Sequence, residues 1–198
     1  PAYNEGSRLH ATLNEIENFA QKWGKSCEVL IVLDGCTDNT MLVIEGFLRS
    51  YHVATYHLLK QPNNLGKGAA IRLGIQAASG NIVGFTDADL PYGAADISKV
   101  FEMFMVDSSL DLVIGARDLP CSISENPASL ARRLSGQIYS RLIEMVLRLG
   151  IPDTQCGFKF FRSHIADKLF SLATINGFGF DVEILCIAHK NNLEIKRI

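Results

Sequence analysis

Short apolar runs alternate with amphipathic stretches along this chain. Residues 28-EVLIVL-33 form a compact run rich in β-branched side chains, and 53-VATYHLL-59, 82-IVGFT-86 and 111-DLVIGA-116 read the same way, as buried strands. Between them the spacing predicts helices. In 7-SRLHATLNEIENFAQKW-23, Leu9, Leu13, Ile16 and Phe19 or Ala20 recur on one face, with Ser7 as the N-cap. Residues 38–51, 66–79 and 96–106 are the next three helices. Further on, 128-ASLARRLSGQIYSRLIEMVLRLG-150 is a long amphipathic helix with Gly150 as its C-cap. Then 158-FKFF-161 reads as a short strand, 181-DVEILCIAHKNN-192 as a closing helix, and 193-LEIKRI-198 as a strand cut short. This order predicts an α/β protein with a mainly parallel sheet and helices on both faces. The chain reads as one domain over residues 1–198, trimmed at both ends.

In such sheets ligands bind at the carboxyl ends of the strands. Asp34, Asp87, Asp89 and Arg117 all fall there. In 82-IVGFTDADLPYG-93 an apolar strand runs straight into two carboxylates one residue apart. Beyond the strand end the chain turns, and both acids can approach one ligand. One or two carboxylates acting with substrate phosphates are what a hard divalent cation takes. The plain alternative is a solvated turn with two surface acids.

Composition narrows the classes. The chain has 198 residues, 47% of them hydrophobic, and a formal net charge of -2, so no basic surplus points to nucleic acid. Five cysteines, an odd number with no CxxC pair, argue against zinc and against a disulfide framework, and fit a reducing compartment. No apolar run is long enough to span a bilayer. The five histidines show no metal-ligand spacing. The 66-GKG-68 loop lacks the P-loop pattern. Its glycines are expected to let the backbone approach an anion at a helix N-terminus, with Lys67 and Arg72 as contacts. Arg72 reads equally as a surface charge.

Six blocks carry a resemblance: 1-PAYNE-5, 34-DGCTDNT-40, 63-NLGKGAAIRLG-74, the DxD of Asp87 and Asp89, 153-DTQCGFKFF-161 and 178-FGFDVEI-184. In this order they resemble the inverting family 2 glycosyltransferases with the GT-A nucleotide-sugar fold. The later blocks look like the dolichyl-phosphate glucosyl- and mannosyltransferases and their bacterial polyprenyl-phosphate relatives.

That resemblance implies a nucleotide-sugar donor, with UDP-glucose favoured, a polyprenyl or dolichyl phosphate acceptor, a divalent cation (Mg²⁺ or Mn²⁺), and work at the cytoplasmic face of a membrane. It implies that Pro1, Ala2, Tyr3 and Glu5 border the nucleotide and that Asp34 bonds the base. The plain alternative for Asp34, the lesser of the two readings, is a capping acid in a turn. Lys67, Arg72, Asp87 and Ala88 complete the donor side, and Asp89 binds the metal. Arg117, Arg132 and Arg133 are implied to hold the acceptor phosphate, although the last two also read as a solvated helix face. The stretch 118–130 is a lid or a surface loop. Asp153 stands where soluble-acceptor relatives place a catalytic base, but an ionised phosphate hardly needs one, so orientation of the acceptor or sugar is the expected role. Gln155 and Gly157 shape the same floor. Asp181 and Glu183 are implied to line the sugar pocket or order a loop, with helix capping as the plain reading.

Two departures stand out. Leu33 precedes Asp34 where the family often has a second acid, and Pro91 stands where several relatives have a metal-assisting Gln. The QxxRW of processive synthases is absent. The rival readings are a GDP-mannose donor, a soluble acceptor, a sugar-1-phosphate nucleotidyltransferase, and a non-catalytic nucleotide-sugar-binding module.

Overall fold

The computed structural model describes residues 1–116, 150–151 and 153–198. Their order is α1 (Leu9–Trp23), β1 (Glu28–Asp34), α2 (Thr40–Leu48), β2 (Thr55–Gln61), α3 (Lys67–Ala77), β3 (Ile82–Thr86), α4 (Ala94–Val106), β4 (Leu112–Ile114), β5 (Phe158–Arg162), α5 (Ser163–Leu172), α6 (Phe180–Lys190) and β6 (Ile195–Arg197). Arg117, Arg132, Arg133, the 118–130 stretch and the helix expected over 128–150 lie outside the described residues, except that Gly150 adopts the left-handed φ of 68° suited to a C-cap.

Among the described residues the strands form two sheets. β1 and β2 pair in parallel, from Glu28 opposite Thr55 to Asp34 opposite Gln61. The second sheet has the order β3-β5-β4-β6. β4 and β6 are parallel, while β5 runs antiparallel to both β3 and β4. The expected parallel arrangement is thus interrupted by one reversed strand, which returns from the carboxyl end and brings residues 153–157 beside the end of β3.

Side chains alternate across the second sheet with period two. Phe158 and Phe160 of β5 and Val113 of β4 pack with Ile97, Val100 and Phe104 of α4. Phe161, Leu112 and Ile114 face the other way, onto α3, α5 and α6. Helices therefore cover both faces. α1 and α2 pack on β1 through Leu9, Leu13, Ile44 and Phe47. An apolar cavity of about 430 Å³ lies between β1 and β3, and Pro1, Asp87 and Ala88 line its rim at the carboxyl ends of those strands.

Two local expectations change. Ser7 does not cap α1, which starts at Leu9 behind Arg8 without a side-chain cap. Instead the Glu5 carbonyl accepts from the N–H groups of Arg8 and Leu9. α5 is an additional helix that the sequence pattern did not mark. No helix among the described residues is long and apolar enough to cross a membrane.

Candidate active site

The turn after β3 is fastened at several points. Asp87 N–H donates to the Gly157 carbonyl at 2.9 Å, and Leu90 N–H donates to the Asp87 carbonyl at 3.0 Å. Leu90 takes a left-handed φ of 45° and buries its side chain against the α4 cluster. Thr12 Oγ1 donates to the Ala88 carbonyl at 2.6 Å. With Ala88 and Leu90 turned inward, Asp89 is left exposed. It forms no hydrogen bond or ion pair with the described residues. Asp87 is engaged instead: its Oδ1 lies 2.6 Å from Lys67 Nζ, and Lys67 in turn sits 5.9 Å from the centre of the Phe180 ring.

The opening segment runs as an extra extended piece along β1. Ala2 N–H donates to Val32 O at 2.8 Å and Asp34 N–H donates to Ala2 O at 3.0 Å. Ala2 is buried and contributes backbone, whereas Tyr3 is 46% exposed. Glu5 is held by Arg8, whose Nε donates to its Oε2 at 2.9 Å. Asn4, which the sequence did not single out, clasps the loop after β1: its Oδ1 accepts from the N–H groups of Thr37 at 2.8 Å and Asp38 at 3.3 Å.

Asp34 is buried, and both of its oxygens are used within the protein. Oδ1 accepts from Leu65 N–H at 2.7 Å and Oδ2 from Gly66 N–H at 2.9 Å. It is thus the anion at the N-terminus of α3 and sets the position from which Lys67 projects. The base-bonding role expected for Asp34 is left to the remaining lone pairs of oxygens that already clamp this loop.

The GKG glycines serve a close approach of backbone to backbone. A Cβ on Gly66 would stand 2.5 Å from Asn176 O, and one on Gly68 would stand 2.5 Å from Ile175 O. Ala69 N–H donates to Asn176 O at 3.2 Å. Arg72, expected as a donor contact, is committed to the same loop: it donates to Asn176 Oδ1 at 2.9 Å and Ile175 O at 3.1 Å. Glu183 secures that loop from the other side, accepting from Thr174 N–H, Thr174 Oγ1 and Ile175 N–H, each at 2.9 Å. Burial pushes the Glu183 carboxyl up, but these donors and the nearby Arg72 together hold it below the usual range. These bonds tie Glu183 to the 174–175 loop.

Asp181 is 2% exposed, so its side chain forms no open wall of a sugar pocket. Its Oδ1 lies 2.5 Å from Nζ of the fully buried Lys159. Burial pushes the Asp181 carboxyl up, and the Lys159 ammonium offsets only part of that rise. Lys159 also donates to Cys156 O at 2.7 Å and Thr154 O at 3.1 Å. It therefore organises the floor that carries Asp153 and Gln155. Asp153 is buried, and Gln155 is half-buried. Lys159 is the main residue of this arrangement that sequence reasoning missed; the available signal was a lone charge inside the aromatic run FKFF.

The donor set at the turn is one exposed carboxylate and one shared with an ammonium. Among the described residues no group of three or more His, Cys, Asp or Glu could cage a metal. That composition fits Mg²⁺ or Mn²⁺ held by one or two carboxylates with substrate phosphates completing its shell.

The protein-family model for glycosyl transferase family 2 matches residues 1–170. A dolichyl-phosphate beta-glucosyltransferase of Trichomonas vaginalis is 34% identical over 209 residues, covering 100% of this chain and 62% of that protein. The Saccharomyces cerevisiae dolichyl-phosphate beta-glucosyltransferase is 31% identical, covering 100% of this chain and 64% of that protein. The chain thus spans less than two thirds of these relatives. Among solved structures, glucosyl-3-phosphoglycerate synthase from Mycobacterium tuberculosis, in complex with Mn²⁺, UDP and phosphoglyceric acid, superimposes with a TM-score of 0.73 at 18% identity, covering 100% of this chain and 65% of that chain. Mannosyl-3-phosphoglycerate synthase from Rubrobacter xylanophilus gives 0.72 at 16% identity, covering 100% and 62%. The fold is the expected GT-A nucleotide-sugar transferase fold.

Proposed function

The chain belongs to glycosyl transferase family 2, and from that premise we propose that it transfers glucose from UDP-glucose to a dolichyl or polyprenyl phosphate. The observation that carries the reading is the strand-end array of Asp89, Asp87 and Lys67, in a chain that aligns over its whole length with proteins named as dolichyl-phosphate beta-glucosyltransferases.

In this reading Asp89 holds a divalent cation with help from Asp87. When bound, the cation supplies Lewis-acid neutralisation of the leaving diphosphate. Lys67, now on Asp87, exchanges to a diphosphate oxygen. The backbone of residues 1–5 and the Asp34-clamped loop border the nucleotide. Asp153 and Gln155 orient the incoming group and the sugar hydroxyls. The acceptor phosphate is ionised at neutral pH, so no strong base is required. Arg117 with Arg132 or Arg133 is assigned to that phosphate by chemistry, since a guanidinium fork matches phosphate oxygens. A single in-line displacement inverts the anomeric centre, so an α-linked donor yields a β-linked lipid-phosphate sugar. Because a polyprenyl chain resides in a bilayer, we assign the reaction to a membrane surface, on the cytoplasmic face that the family resemblance implies.

The test is calorimetric titration with UDP-glucose and GDP-mannose, with and without Mn²⁺, on the protein and on Asp89→Asn, followed by a transfer assay with dolichyl phosphate. Cation-dependent UDP-glucose binding that the substitution abolishes, together with a β-linked glucosyl product, is the expected result. Nucleotide binding without transfer to any polyprenyl phosphate would make this a binding module. Transfer to a soluble phosphorylated acceptor would overturn the lipid assignment.

A further inference from the structure

We propose that Lys159 and Asp181 are positioning residues for sugar transfer, a buried ion pair that fixes the 153–157 floor and, through Gly157, the Asp87 carboxylate. The inference rests on the glycosyl-transfer reading of the same site.

Lys159 is wholly buried on the face of β5 that looks toward α6. An ammonium has three protons, and here three acceptors take them: Asp181 Oδ1 at 2.5 Å, Cys156 O at 2.7 Å and Thr154 O at 3.1 Å. Two of the three are carbonyls of the loop that carries Asp153 and Gln155. Asp181 stands in the first turn of α6, where a negative charge is favoured, and this anchors the pair to a rigid element. The next ionic groups that act on Asp181 are Lys67 and Asp87. Charges thus alternate from the core to the strand-end site: Lys159, Asp181, Lys67, Asp87.

The floor reaches Asp87 by direct contact. Asp87 N–H donates to Gly157 O at 2.9 Å. Its carboxylate lies where a side chain at position 157 would be, with Oδ2 2.0 Å and Cγ 2.2 Å from an ideal Cβ there. A displaced floor therefore moves Asp87, Asp153 and Gln155 together. Packing alone does not call for such a pair, because two charges taken out of water can often be replaced by apolar side chains at no loss of stability. A shift of about 1 Å in a reacting group can cost about 10²-fold in rate, and that is the role the geometry assigns to this pair.

The test compares the protein with Lys159→Met and with the double variant Lys159→Met/Asp181→Leu. The single variant buries an unpaired carboxylate and is expected to melt well below the double, which is the informative one if the single fails to fold. In the double, the KM for UDP-glucose should stay within about threefold while kcat falls about 10²-fold. A double variant with the parent kcat, or one in which only KM rises, would overturn the proposal. Amide hydrogen exchange supplies a readout that needs no activity: the Asp87 amide, which donates to Gly157 O, should lose protection in the double while those of β1 and β2 keep theirs. Parent-like protection of the Asp87 amide would overturn the proposal by itself. Absence of transfer by the unmodified protein would sink the functional reading and leave the exchange result to decide this one.

Discussion

Lys67 Nζ lies 2.6 Å from Asp87 Oδ1, so the first acid beyond β3 carries its own counter-cation. Lys67 is only 16% exposed and Asp87 34%, which keeps the pair partly screened from water. A bound diphosphate would compete with Asp87 for the ammonium, while a cation at Asp89 would compete with Lys67 for the carboxylate. Both exchanges favour joint arrival of nucleotide and metal. Lys67→Met is therefore expected to weaken UDP-glucose binding about 10- to 100-fold, since a hydrogen bond to a charged group contributes about 1.5–3 kcal/mol. Titration calorimetry in Mn²⁺ checks it. A loss below about twofold would show that the ammonium stays with Asp87 throughout.

Gly157→Ala tests the contact between floor and acid. The added methyl would collide with Asp87 Oδ2, only 2.0 Å away. The carboxylate must swing off the floor, and kcat is expected to fall about 10²-fold or more while overpacking costs about 1–3 kcal/mol of stability. Gly46→Ala is the control: its Cβ meets nothing within 4 Å, inside α2. There a gain of about 0.5–1 kcal/mol is expected, with activity unchanged. Steady-state rates and thermal melts on both variants decide the matter.

Asp34→Asn separates loop clamp from base reader. Asn keeps one acceptor oxygen and presents an NH₂ to the second amide, either Leu65 N–H or Gly66 N–H. A part-buried amide left without its acceptor costs about 1 kcal/mol, which urea unfolding would register with or without nucleotide. Donor affinity should fall as well, because the clamp aims α3 and Lys67. An unchanged unfolding free energy with lost affinity would assign Asp34 to the ligand instead.

Much of this arrangement is legible in the sequence where the neighbours in the chain decide it. β1, α3, α4 and α6 carry apolar runs or stripes whose burial follows from local periodicity. β2 is less well marked because it alternates between half-buried and exposed, so its span is set by pairing with β1, two residues beyond the apolar run. α5 follows β5 with no intervening turn residue, which hides the change of period. The strand-end acids could be located because strands point there, but their partners could not. Asp34 meets a loop some thirty residues away, Lys159 meets Asp181 at a separation of 22 residues, and Arg72 meets Asn176 at 104. Such pairings depend on which strand reverses, and the reversed β5 is the feature that local patterning does not encode.

Glu183 makes acid stability a readout of the loop beside the GKG turn. Its carboxylate accepts three hydrogen bonds from Thr174 and Ile175 and is held below its ordinary range. A carboxyl whose folded pKa is depressed contributes stability that is present above the unfolded value, about 4.3 for Glu. That contribution is lost as pH falls through the lower folded value. Glu183→Gln cannot accept all three bonds and, because they are open to solvent, is expected to cost about 0.5–1.5 kcal/mol at pH 7. The difference from the parent should shrink below about pH 4.3, because the parent then loses the same charge. Urea unfolding of both proteins at pH 7 and at successively lower pH measures the difference, and subtracting the two curves removes the carboxyls common to both. A gap that persists unchanged into acid would mean that the bonds to Thr174 and Ile175 do not depend on the charge of Glu183.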